Sequence, residues 1–149
     1  MALTVLKKIR DYYSQFPLVR NCAIAYGAPQ GNNDTAALFG NLVQFVKDHM
    51  TYVADPIGFE YVTAPDYQLG EILAGRQAYG DCDDHVLLLN TLLASVGFET
   101  AFVAVKLDSN DELFDHVIAS ALYNGQWVDV DPCAKHVPQP VYTEKFIVK

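Results

Sequence analysis

The sequence predicts an α+β fold, and three observations carry that prediction. Apolar residues recur at helical spacing through the N-terminal half. A dense apolar run over 86–96 follows, and after Gly97 the pattern turns to alternating, β-branched sequence with Asn124-Gly125 between two such runs. Helices and strands that fall in separate blocks build a helical layer packed on an antiparallel sheet.

The elements follow in order. Leu3, Leu6, Ile9 and Tyr13 lie three or four apart and predict a helix over 2–15 with one buried face. "FPLVRNCAIAYGAPQGNN", punctuated by Pro and Gly, reads as irregular. Asp34 is a plausible N-cap for a helix to about residue 53, because Leu38, Leu42, Phe45, Val46, His49 and Val53 fall on one stripe. "ADPIGFEYVTAP" breaks it, and "DYQLGEILAG" after Pro65 adds a short helix. The next helix opens at Asp81-Cys82. Val86, Leu87, Leu88, Leu89, Leu92, Leu93 and Val96 make it apolar at nearly every angle, so it should be buried on most sides, with Gly97 closing it. "FETAFVAVKL" predicts a strand, and "HVIASALYNGQWVDVD" a hairpin turning at Asn124-Gly125.

Composition narrows the function classes. A chain of 149 residues with 51% hydrophobic and 12% aromatic content has the makings of one globular domain over 1–149, and no repeat or interior linker divides it. Eighteen acidic against ten basic residues give a net charge of -8, which disfavours nucleic acid and anionic membranes as partners and eases the approach of a basic or polar substrate. Cys22, Cys82 and Cys133 are too few and too irregularly spaced for a disulfide scaffold, and free thiols suit a reducing, cytoplasmic setting. "MALTVLKKIRDYY" meets Lys7, Lys8 and Arg10 before any long apolar core, so it reads as an amphipathic helix rather than a signal peptide. Asn90, Thr91 and Ser95 interrupt the best candidate for a membrane span.

The stretch "YGDCDDHVLLLN" concentrates reactive groups where the buried helix begins. With Asp81 as N-cap, Cys82 is the first helical residue, and the unpaired N–H groups there favour a thiolate. Asp84 can complete a capping box with Asp81, which explains the acids without chemistry. A nucleophile still needs a base and an orienter, and the hairpin offers His116 and Asp131.

Together, "GDCDDHVLLLNTLLASVGFETAFVAV" and "DHVIASALYNGQWVDVDP" resemble the core of the transglutaminase-like branch of papain-like cysteine enzymes: a Gly-Asp-Cys turn into a buried helix, a His-Val strand, and a Trp strand ending in Asp-Pro. "YVADPIGFEYVTAPDYQL" extends the likeness to roughly 40–133 and is similar to small members encoded by phages and prophages. The resemblance implies Cys82 as nucleophile, His116 as base and acid, and Asp131 as orienter. It implies acyl transfer or hydrolysis at an amide through a thioester, on a protein or peptide substrate and without a cofactor. Peptide, isopeptide, cell-wall crosslink and glutamine side chain all fit as substrates. It further implies a second oxyanion donor from an upstream aromatic or amide side chain, for which Tyr52 and Gln77 both stand open. The extra β-domains of large transglutaminases do not follow Asp131-Pro132, which argues against protein cross-linking.

Hairpin geometry distinguishes the two carboxylates of "WVDVDP". With a two-residue type I′ turn at Asn124-Gly125, Tyr123 faces Gln126, Ser120 faces Asp129 and Ile118 faces Asp131. His116, Asp129 and Asp131 then share a side, with Asp131 the diagonal neighbour of His116 at about 7–8 Å and Asp129 too remote for a direct hydrogen bond. Cys133 comes opposite His116 but lacks a helix start to acidify it. Cys22 reads as a buried structural thiol, His49 as a satisfied helix residue and His136 as solvated. Two rival readings remain: a tetrahedral zinc site from Cys82, His85, His116 and Asp131, and a non-catalytic assembly or binding module that retains the fold.

Overall fold

The computed structural model describes residues 3–31, 34–59, 61–106, 116–133 and 144–149. Three helices come first: α1 (Leu3–Tyr13), α2 (Pro17–Gly27) and α3 (Thr35–His49). α2 corrects the reading of 16–33 as irregular. Pro17 stands at the start of this helix, where its fixed φ is welcome and its missing N–H costs nothing, and Gly27 is the last residue. The two residues taken as breakers are therefore the helix's own punctuation. Gly27 also admits α3, since a Cβ there would come within 2.4 Å of Leu38 Cδ1.

Asp34 caps α3 as expected, its carboxylate accepting from the N–H of Ala36 and Ala37. The helix ends at His49, not near 53, because the chain straightens into β1 (Met50–Tyr52). This strand pairs in parallel with β2 (Ala78–Gly80), and α4 (Pro65–Leu73) lies between them in sequence. α5 (Cys82–Ser95) follows directly. It is buried from Asp84 to Leu93 and packs against α1, α2, α3, α4 and the strands β3 (Thr100–Lys106) and β4 (His116–Tyr123). A helix apolar all round has become the axis of the molecule, as its sequence requires.

β3 and β4 form an antiparallel sheet with β5 (Gln126–Val130) and β6 (Glu144–Val148), in the order β5-β4-β3-β6. Asn124 and Gly125 take φ of 50° and 77°, as a type I′ turn demands, and the ladder pairs Tyr123 with Gln126 and Ser120 with Asp129. The sheet is curled. Lys145 of β6 reaches Asp129 of β5, and Lys149 lies 4.9 Å from the Trp127 ring, although β5 and β6 occupy opposite edges. One face of the sheet packs on α5 through Phe102, Ala104, Val117, Ala119 and Ala121, while Val103, Val105 and Ile118 form a second, fully buried cluster. Arg10 of α1 ties the helical layer to the sheet by donating to Thr100 O (2.9 Å) and Thr100 Oγ1 (3.0 Å).

Candidate active site

The site is built around the start of α5. Asp81 stands at the N-cap in extended conformation, and its carboxylate accepts from Asp84 N–H (3.2 Å) while Asp84 accepts from Asp81 N–H (3.2 Å). The capping box explains the acids, as expected. Gly80 is what allows it: a Cβ at that position would lie 2.4 Å from the Asp84 side chain. Asp84 also accepts from Thr63 N–H (2.8 Å), which pins the chain before α4 against the helix start. Cys82 thereby occupies the first helical position, where helix geometry supplies no acceptor for its N–H.

β4 and β5 bring the other groups. His116 Nε2 lies 2.6 Å from Asp131 Oδ2, and the second oxygen of Asp131 accepts from Cys133 N–H (2.9 Å). Cys82 is near enough to act on the imidazole, and with Nε2 engaged by Asp131, Nδ1 is the nitrogen left to serve it. Burial opposes charge on His116, but hydrogen bonds to Asp131 and Cys82 and their negative charges outweigh it and push the imidazole up to about 10. His116 therefore carries its charge at neutral pH, beside the Asp131 carboxylate. Asp129, which shares a sheet face with Asp131, is turned to Lys145 instead.

Tyr52 and Gln77 separate cleanly. Gln77 is held at the surface, donating to Asp48 O (3.1 Å) and accepting from Thr51 Oγ1 (3.2 Å). Tyr52 faces the site: burial and the nearby charges of Cys82, Asp81, Cys133 and Asp55 push its hydroxyl up, so it stays a donor. Cys133 is pushed far up by burial and by the charges of Asp131 and Cys82, and it remains a thiol. Cys22 is buried on α2, and burial raises it too. His49 is satisfied by Phe45 O at 2.8 Å. His136 lies outside the described residues.

The zinc reading does not hold. His85 turns Nδ1 to Asp81 O (2.7 Å), and burial lowers its pKa and favours the neutral ring. Among the described residues, no three of Cys82, His85, His116 and Asp131 bring donor atoms together; Asp55, Asp81 and Asp84 do, within 4.8 Å. Asp55 was not singled out from sequence. Asp55 accepts from Tyr61 N–H (2.9 Å) while lying beside Asp81 and Asp84, so it ties the chain after β1 to the start of α5. The one sequence hint was an Asp-Pro pair opening a turn.

Comparison with solved structures supports the same fold. The chain is similar to a candidate protease from Parabacteroides distasonis (18% identity, TM-score 0.63), with 86% of this chain and 25% of that one covered. It is similar to a candidate cysteine protease from Cytophaga hutchinsonii (16% identity, TM-score 0.60), over 90% of this chain and 43% of that one. It is also similar to the periplasmic domain of TgpA from Pseudomonas aeruginosa bound to ethylmercury (17% identity, TM-score 0.55), over 85% and 49%. The chain thus spans less than half the length of each. No protein-family model matches the sequence, and no curated protein matches it. The chain shares its α+β architecture with all three structures, two of which are described as candidate proteases.

Proposed function

We propose that the protein is a cysteine-dependent enzyme that cleaves or transfers the acyl group of an amide, with Cys82 as nucleophile, His116 as acid and base, and Asp131 as orienter. The observation that carries this reading is the His116 imidazole, bonded by Asp131 at 2.6 Å and set near Cys82 at the head of α5. In the first step the Cys82 thiolate attacks the amide carbon, forming the C–S bond while charge moves onto the oxygen. Cys82 N–H, with the Tyr52 hydroxyl as a second donor, stabilises that oxyanion. His116 gives its Nδ1 proton to the amide nitrogen, the C–N bond breaks, and a thioester remains. Water or an amine then attacks the thioester. His116 accepts the proton of that nucleophile, the acyl group leaves, and the thiolate returns. Asp131 stabilises the imidazolium between steps.

Three free thiols fit a reducing compartment, and no helix among the described residues is long and apolar enough to cross a membrane. The reading is tested by brief iodoacetamide labelling at neutral pH, mapped by mass spectrometry. Cys82 should label first, with Cys22 and Cys133 slow because burial raises both. Cys82→Ala should fold normally and turn over no amide. Preferential labelling of Cys133, or retained turnover in the variant, would remove Cys82 as nucleophile.

A further inference from the structure

We propose that residues 53–59 together with Tyr61, which follow β1, dock the substrate, and that their occupant is a polypeptide segment carrying basic residues among apolar ones. The inference rests on the assignment of Cys82 as nucleophile and adds the substrate's chemistry.

Position comes first. The loop leaves β1 directly after Tyr52, whose hydroxyl feels the charge of Cys82. It is held at both ends to the residues that flank the thiol: Val53 N–H donates to Gly80 O (2.9 Å), and Thr63 N–H to Asp84 (2.8 Å). Internally, Phe59 N–H bonds Pro56 O (3.0 Å) and Tyr61 N–H bonds Asp55 (2.9 Å). This is a shaped loop, anchored beside the reacting sulfur.

What it presents to water is apolar. Ile57 is fully exposed, Phe59 is 61% exposed, and Tyr61 is more than half exposed. The Phe59 and Tyr61 rings stack at 6.1 Å with a 14° interplanar angle, so they form one flat shelf. Scattered exposed apolar residues need no explanation, but several on a loop tied to a nucleophile mark a binding surface. Aromatic rings make suitable anchors there because they bury large area with few rotatable bonds.

Charge selects the occupant. The shelf is bounded by Asp55 and Asp81, and the whole chain carries -8. A second copy of this chain would bring the same charge and be repelled, and so would an anionic bilayer. A polypeptide with lysine or arginine near apolar side chains satisfies both features, since its cations meet the carboxylates and also lie well on aromatic faces. Such a segment also presents the backbone or side-chain amide that Cys82 needs.

The test uses the full chain as Cys82→Ala, so that binding is read without turnover. Fluorescein-labelled peptides of alternating Lys and Phe would be titrated and followed by anisotropy, beside matched peptides with Glu for Lys and with Ser for Phe. The Lys-Phe peptide should bind, the Glu-Phe peptide roughly tenfold more weakly, as several exposed ion pairs allow. The Lys-Ser peptide should lose about as much through lost apolar contact. Phe59→Ser with Tyr61→Ser should weaken the Lys-Phe peptide to the same extent, with Ile57→Ser as a second probe at a fully exposed position should the double variant unfold. Equal binding of the Lys and Glu peptides, or binding indifferent to both sets of loop variants, overturns the proposal. Co-sedimentation with phosphatidylcholine vesicles that depends on Ile57 and Phe59 would overturn it in favour of a membrane. Expected peptide binding in a chain whose wild type cleaves no amide would sink the enzymatic reading and leave the docking surface standing; active wild type without loop-dependent binding would do the reverse.

Discussion

His116 Nε2 is committed to Asp131, and that bond assigns work to particular oxygen atoms. Asp131 Oδ2 holds Nε2, while Asp131 Oδ1 is itself held by Cys133 N–H, so the carboxylate cannot rotate away. Asp129 stands two residues earlier on the same sheet face and is paired with Lys145. Asp131→Asn should therefore lower kcat/KM by roughly 10³-fold or more, since an amide cannot stabilise the imidazolium as a carboxylate does. Asp129→Asn should leave kcat/KM within about threefold and cost less than ~1 kcal/mol of stability, the usual worth of a partly exposed ion pair. Steady-state kinetics on one amide substrate compares the two; equal activity of the variants would remove Asp131 from its role. This choice was legible in the sequence because an Asn-Gly turn of two residues sets the register of everything beyond it. Asp55 was not legible. Its part depends on a turn returning to the start of α5, and no spacing along the chain announces that return.

Elements were legible in proportion to their length and to how far their ends differ from ordinary breakers. α5 and the β4–β5 hairpin carry long, unambiguous patterns, and the structure has both within a residue or two of expectation. α2 was missed because Pro17 and Gly27 serve as helix punctuation but resemble loop punctuation. β1 and β2 have three residues each, too few to display alternation, and their pairing is a parallel contact across 28 positions of sequence. Arg10 shows the same limit: nothing in the spacing of α1 marks it as buried, yet it is buried, bonded to Thr100 and stacked 5.4 Å from the Phe102 ring. Arg10→Ala should destabilise the protein by about 2 kcal/mol, because the Thr100 carbonyl loses a charged donor in a buried setting. Urea unfolding would measure it. A loss below ~0.5 kcal/mol would mean that the α1–β3 junction depends on its apolar contacts alone.

At the scale of the whole molecule, the site's geometry is bound to the molecule's stability through pH. Asp84 is buried, and desolvation, opposed by the Thr63 N–H and reinforced by Asp81 and Asp55, pushes its carboxyl up to about 7. A carboxyl whose folded pKa lies above its unfolded value binds its proton more tightly in the native state. Its contribution is fully present below the unfolded value near ~4 and is lost as pH rises through 7. His116, raised to about 10, behaves alike over a later window: its contribution is full below about 6.5 and is lost as pH climbs through 10. Both slopes have the same sign, so the protein should be most stable in mild acid and should weaken steadily from pH 5 to pH 9, against the usual gain from carboxylates that ionise favourably. Asp84→Asn separates the two groups. The variant keeps a carbonyl for Thr63 N–H and cannot ionise, so between pH 5 and 6.5, before the His116 slope develops, its unfolding free energy should be nearly flat where the wild type falls by of order 2 kcal/mol. Above pH 8 the curves should run parallel, because the remaining slope belongs to His116. Thermal or urea unfolding across that range gives the comparison, and a wild type that gains stability from pH 5 to 7.5 would show that Asp84 is a fully ionised cap, its charge held by the N–H donors of Thr63 and Asp81.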